Sequence, residues 1–147
     1  IYDHKLPPFY APLVHFEGNC DRLQYYEAQY PSTAINKSIF FPAGNGGPDS
    51  LIDELTYVMV SYNFMTPIDA NNTRYYWLQH RNTDPGNKDV TATIASGAKA
   101  AFLEDRDVLE AVHTGIASET SRHLNLGLDA ASLQFRCNLE KPNAQSL

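Results

Sequence analysis

Thr91-Ala92-Thr93-Ile94-Ala95-Ser96-Gly97-Ala98-Lys99-Ala100-Ala101-Phe102-Leu103-Glu104-Asp105-Arg106-Asp107-Val108-Leu109-Glu110-Ala111-Val112-His113-Thr114-Gly115-Ile116-Ala117 decides how the rest of the chain is read. Ile94, Ala98, Phe102, Leu109, Val112 and Ile116 recur at the i, i+3/i+4, i+7 spacing of a helix that turns one face to a core. The spacing predicts one helix over 91–117. Asp105 falls inside the apolar stripe, a turn from Phe102 and a turn from Leu109, while Glu104, Arg106, Asp107 and Glu110 fall off it. An ionised carboxylate turned into a core is costly unless a cation, a metal or several donors meet it. Three readings stay open: a buried ion pair with an arginine, a helix break near Asp105 with Asp107 and Glu110 at capping-box spacing, or contact with a metal or substrate. Alanines and leucines on both sides favour the unbroken helix.

Upstream, residues 10–16, 22–28 and 35–41 read as three short strands, separated by Gly18-Asn19 and Pro31-Ser32. Two longer strands, 56–65 and 73–81, flank Thr66-Pro67-Ile68-Asp69-Ala70-Asn71-Asn72, whose Pro and Asx residues suit a hairpin connection. Asp84-Pro85-Gly86-Asn87 ends the strand region. After the long helix comes a break near 118–127, then a last helix capped by Asp129 and running to about 141. Strands followed by helices mean an α+β fold with an antiparallel sheet. A long helix crossing such a sheet would enclose a pocket, with Asp105 pointing into it.

The chain has 147 residues, enough for one domain with a real core. A net charge of −6 and the lack of any Lys/Arg run argue against nucleic acid as a partner. No apolar run reaches the length of a membrane span. Ile1-Tyr2-Asp3-His4-Lys5 is no signal peptide, and without an initiator Met it is expected to begin a processed product or a fragment. Cys20 and Cys137 match no CxxC or zinc spacing; two free thiols in a cytoplasmic protein are expected, the alternative being one disulfide in an exported one. The five histidines include no HxxxH, HxxxxH or HExxH pair, and Gly44-Asn45-Gly46-Gly47-Pro48 lacks the Lys-Ser/Thr of a phosphate loop.

Four segments carry a family resemblance that runs from about Pro8 to Lys141. Ala101-Phe102-Leu103-Glu104-Asp105-Arg106-Asp107-Val108-Leu109-Glu110-Ala111 resembles the F-x-E-D-[KR]-x-[VM]-[LI]-E-A helix of Rieske oxygenase catalytic domains, in the branch of vanillate O-demethylase and dicamba monooxygenase. Asn63-Phe64-Met65-Thr66-Pro67 resembles that branch's H-x-x-T-P strand end, and Thr73-Arg74-Tyr75-Tyr76-Trp77 its T-x-H-Y-[FW] strand. Asp129-Ala130-Ala131 through Arg136-Cys137-Asn138-Leu139-Glu140-Lys141 resembles its terminal helix.

The resemblance implies a helix-grip (START/Bet v 1-like) fold, a curved antiparallel sheet packed on a long C-terminal helix. It also implies that Asp105 is the carboxylate of a mononuclear Fe(II) site completed by two histidines, the facial triad whose open positions take O2. Electrons would come from a [2Fe–2S] cluster on an N-terminal domain, supplied by a reductase or ferredoxin, normally in a trimer. The substrate would be a small aromatic molecule, hydroxylated or oxidatively O- or N-demethylated. Asn36 matches an amide near substrate, Asn63 stands where the branch has a substrate-facing histidine, and Ser96 replaces an aromatic pocket wall. Tyr75, Tyr76 and Trp77 are read as core and rim packing rather than ligand contacts. The departures are equally specific. The N-x-x-D-x-x-H-x-x-x-x-H helix that supplies the two iron histidines is absent, and so are the C-x-H and C-x-x-H cluster motifs. His113 stands where the family commonly has Gln. The chain then reads as the C-terminal half of a catalytic domain with one of three iron ligands, expected to bind no iron and to be inactive alone. A stand-alone helix-grip binding module and an inactive assembly subunit are the alternatives.

Overall fold

The computed structural model describes residues 1–118 and 126–140. It contains five strands, β1 (His4–Lys5), β2 (Asn19–Gln29), β3 (Thr33–Pro42), β4 (Tyr57–Pro67) and β5 (Thr73–Arg81). Helix α1 (Lys88–Ser118) follows, then a 3-10 turn at Gly127–Asp129 and helix α2 (Ala130–Glu140). The strands form one antiparallel sheet in sequence order, β1-β2-β3-β4-β5. The α+β class expected from the order of elements is what the chain adopts. It divides into two compact units, 1–83 with 127–147, and 84–126.

In the first unit, the pairing is continuous from Cys20 opposite Pro42 to Gln29 opposite Thr33, and from Phe40 opposite Tyr57 to Thr33 opposite Phe64. Met59 opposite Arg81 to Pro67 opposite Thr73 completes it. The β4–β5 hairpin closes as its sequence predicts. The Asp69 carboxylate accepts from the Asn71 backbone amide at 2.8 Å and from the Asn72 side chain, and Ile68 donates to the Asn72 carbonyl. The core gathers Leu13, Cys20, Ile39, Phe40, Phe41, Tyr57 and Met59.

The strand expected over 10–16 does not form. Tyr10 and Ala11 both donate to the Pro7 carbonyl and Leu13 donates to that of Tyr10, so the segment winds through turns. Pro12 suits turns and cannot donate to a ladder. The apolar residues that mimicked a strand instead plug the core. The Tyr10 ring lies 4.3 Å from that of Phe40 and 6.1 Å from that of Tyr57, centre to centre, and Leu13 is fully buried. The fifth strand is the short edge His4–Lys5. Cys20 and Cys137 are both free.

In the second unit, α1 begins three residues before the predicted start because Asn87 caps it. The Asn87 Oδ1 accepts from the amides of Asp89 and Val90 at 3.0 and 3.2 Å. The helix is unbroken through Asp105, which removes the reading of a second start there. The apolar stripe is buried at Ile94 and Ala98, half-buried at Phe102, and exposed at Leu109, Val112 and Ile116. Asp105 shares that exposure, so the expected burial of its carboxylate is not met. Of its neighbours on the stripe Phe102 is half-buried and Leu109 is 66% exposed, and the exposed carboxylate keeps its hydration. α2 starts after the 3-10 turn that contains Asp129, and Phe135 on it meets Tyr30 edge to face. The predicted last residue of that helix, Lys141, and most of the predicted break at 118–127 lie outside the described residues. No helix among the described residues is long and apolar enough to cross a membrane.

Candidate ligand-binding face

Side chains along a strand alternate between the faces of a sheet, and residues paired across strands share a face. The register therefore sorts the sheet without ambiguity. One face carries four successive rows: Arg22, Phe40 and Tyr57; Gln24, Ser38, Met59 and Arg81; Tyr26, Asn36, Ser61 and Gln79; Ala28, Ala34, Asn63 and Trp77. The first row is the core, with Phe40 and Tyr57 fully buried. The next two rows are a belt of amides and hydroxyls, in which Ser38 and Ser61 are buried and Gln24, Asn36 and Gln79 half-buried. In the last row Ala28 is exposed and Ala34, Asn63 and Trp77 are half-buried.

The belt's polar groups hold one another loosely. Gln24 donates to the Ser38 hydroxyl and Ser38 to the Asn36 Oδ1, each at 3.5 Å, and the Gln79 Nε2 donates to the Ser61 hydroxyl at 3.3 Å. These lengths lie beyond the usual range for such bonds, which are therefore weak. The Gln79 Oε1 is buried and accepts from no group among the described residues. Asn63 is better held, since its Nδ2 donates to the Ala34 carbonyl at 3.3 Å and its Oδ1 accepts from the Tyr75 hydroxyl at 2.6 Å.

No Asp or Glu stands on this face of β2 to β5, which carries two guanidinium groups. Arg22 lies over the rings of Phe40 and Tyr10, 5.4 and 5.8 Å from their centres, with its Nε buried and unpaired among the described residues. The Arg81 Nε donates to the Thr83 carbonyl at 2.9 Å. A neutral-to-positive surface with weakly bonded amides and an aromatic rim of Trp77, Tyr75 and Tyr26 can hold a flat ring bearing oxygen substituents.

Of the residues singled out from the sequence, Asn36 and Asn63 come together here: Asn36 pairs with Ser61, and Asn63 is two positions along the same strand. Tyr75 and Trp77 share their face, whereas Tyr76 points from the opposite one, where it is 54% exposed. Ser96 and Asp105 both lie on α1 and are exposed. Nine residues of helix are two and a half turns, so the two project from opposite sides of α1. Gln24, Ser38, Ser61 and Gln79 were not singled out. Their signal was a polar pair two apart in each strand, Gln24/Tyr26, Asn36/Ser38, Ser61/Asn63 and Gln79/Arg81, which alternation shows and only register can align.

An Fe(II) site does not follow from the described residues by themselves. No three His, Cys, Asp or Glu side chains among them gather as a metal would require, and Asp105 offers a single carboxylate.

The model of the family described as "Vanillate O-demethylase oxygenase C-terminal domain" matches residues 1–144. The chain is 29% identical over 136 residues to the vanillate O-demethylase oxygenase subunit of Pseudomonas sp. (strain HR199 / DSM 7063), covering 88% of this chain and 38% of that protein. It is 31% identical over 107 residues to a toluene-4-sulfonate monooxygenase system iron-sulfur subunit of Comamonas testosteroni, covering 73% of this chain and 30% of that protein. The chain thus spans well under half the length of these relatives. No solved structure gives a significant match.

Proposed function

Because the chain belongs to the vanillate O-demethylase oxygenase C-terminal domain family, we propose that it is the substrate-facing part of the catalytic domain of a Rieske-type non-haem iron oxygenase. Its substrate is a small aromatic compound with an oxygen-bearing substituent, hydroxylated or oxidatively demethylated with electrons from a reductase or ferredoxin. The observation that carries this reading is the sheet face on which Asn36 and Asn63 stand together amid an acid-free belt of amides and hydroxyls beside Trp77. Such a surface orients a ring through its substituents and leaves the reacting carbon to a centre elsewhere.

Asp105 is the one residue of this chain to which we assign a metal role, as the carboxylate ligand of Fe(II) in the complete enzyme. Its exposure leaves it open to a metal whose imidazoles come from other residues. Ser96, on the other side of α1, is proposed as a pocket residue on the family resemblance alone.

The test uses the native protein at its full length. It should carry mononuclear iron and a [2Fe–2S] absorption and release formaldehyde from a methoxybenzoate in an O2-dependent reaction. Asp105→Asn should remove the mononuclear iron and the turnover while leaving the cluster spectrum. Iron retained in that variant would defeat the assignment of Asp105. A native protein with aromatic binding and no iron would favour a binding module instead.

A further inference from the structure

The Gln79 side chain is held at one end only. Its Nε2 donates to the Ser61 hydroxyl, and its Oε1 is buried with no partner among the described residues. A buried amide end without a partner is costly, so such a group is expected to meet one when the site is filled. The amide can turn over about its last torsion, which exchanges oxygen for nitrogen, and in either orientation one polar end faces away from Ser61. A carboxylate or an ether oxygen accepts only, and an ammonium donates only. A hydroxyl both donates and accepts, so, unlike those three, it satisfies the amide either way round.

The surroundings favour an aromatic carrier. Gln79 lies in the row beside Trp77, two residues along β5 on the same face, with Asn36 across the sheet in its own row. A ring lying along Trp77 with a hydroxyl at Gln79 has Asn63, the next residue of Trp77's row, beside it. We propose that Gln79, seated by Ser61, is a specificity-determining contact that selects aromatic ligands bearing a free hydroxyl. This rests on the reading of the sheet face as the aromatic site and adds the substituent that the site selects.

Trp77 is the single tryptophan of the chain, so its fluorescence reports directly on this face. Benzoate, 4-methoxybenzoate and 4-hydroxybenzoate would be titrated into the 147-residue chain, with Trp77 emission and calorimetry as readouts. The expected result is that 4-hydroxybenzoate binds roughly fivefold tighter than the other two, the worth of one good hydrogen bond. In Gln79→Leu that preference should vanish, with benzoate affinity changed less than twofold. Gln79→Met keeps length without polarity and supplies the same comparison should the leucine variant fail to fold. Ser61→Ala, which unseats the amide, should lower the preference without abolishing binding.

Binding of all three probes with equal affinity would overturn the inference, since water alone would then satisfy Gln79, and would leave the aromatic site standing. A hydroxyl preference that survives in both Gln79 variants would likewise remove Gln79 from the role. Absence of any binding by all three probes would overturn the inference together with the site on which it rests.

Discussion

The Gly46 amide donates to the Asp21 carboxylate at 2.9 Å, although the two residues lie 25 positions apart in the chain. The same carboxylate accepts from Gly44 at 2.8 Å and from Asp3 at 2.8 Å, so one buried side chain ties the N-terminal segment and the loop after β3 to β2. A β-carbon at Gly46 would run into the Asp21 side chain. Gly46→Ala is therefore expected to push the loop off its anchor and lower the melting temperature. Gly47→Ala is the control, because a β-carbon there meets only the Ser50 hydroxyl at 3.4 Å. Equal melts for the two variants would sink the anchor.

Asp21 should also give the fold an acid-sensitive leg. The Asp3 amide holds its carboxyl below the ordinary carboxylate value, with the Gly46 and Gly44 amides adding to this and burial opposing it. A depressed folded value means stability that is fully present above the unfolded value and is lost as pH falls through the folded one. Asp21→Asn should cost about 1.5–3 kcal/mol at pH 7, the worth of bonds to a charged acceptor. Urea titrations should show that gap narrowing steadily below about pH 4. A gap that does not change with pH would mean that the charge is immaterial.

The Tyr57 hydroxyl is the opposite case. It is fully buried with no partner among the described residues, and burial, first among the causes, pushes its pKa up to about 12. A raised value gives stability that is complete below the unfolded value of about 10 and is lost as pH rises through the folded value. Tyr57→Phe removes an unpaired hydroxyl while keeping the ring against Phe40 and Tyr10. It should leave stability unchanged or raise it by about 1 kcal/mol at neutral pH and flatten the loss at high pH. A clear loss of stability at neutral pH would show that the hydroxyl is bonded.

Local periodicity carried much of the fold, and its failures have local causes. β5 is found at the predicted residues, because Thr, Tyr, Tyr and Trp favour strands and the segment lies between Asx-rich ends. Residues 10–16 are also rich in apolar and aromatic residues, yet Pro12 and the turn on the Pro7 carbonyl make them a plug for the core. Asn36 and Asn63 were legible through family resemblance. Their joining by Ser61 and Gln79 was not, since a one-residue slip in any strand would have sent them to the other face. The stripe on α1 was legible as a pattern, whereas how far along it the burial extends depends on what lies against it, which spacing does not encode.

Tyr75 and Asn63 offer a separate check on the last row. The 2.6 Å bond between them is on an exposed rim, so Tyr75→Phe should change stability by no more than about 0.5 kcal/mol. Asn63 would stay fixed through the Ala34 carbonyl. If Asn63 touches ligand, Asn63→Ala should weaken benzoate binding severalfold, whereas Tyr75→Phe should alter it little. The same titration of Trp77 emission would measure both. Equal, small effects from the two variants would place Asn63 outside the site.

Asp105 separates a structural carboxylate from one kept for chemistry. A buried ion-pair partner removed from its cation costs about 3–5 kcal/mol, but among the described residues no cation or donor meets this side chain, and it is open to solvent. Arg106, the nearest cation in sequence, instead pairs with Asp107 at 3.1 Å and reaches Glu110 at 3.7 Å. Asp105→Asn should therefore leave the melt of the isolated chain within about 0.5 kcal/mol of wild type. Asp107→Asn, which breaks only an exposed pair, should do no more. If the proposed iron role is right, the same neutral substitution at Asp105 is fatal to turnover in the full-length enzyme, and that contrast is its signature. A fall of many degrees in the isolated chain would return Asp105 to a structural ion pair and leave the iron without its carboxylate.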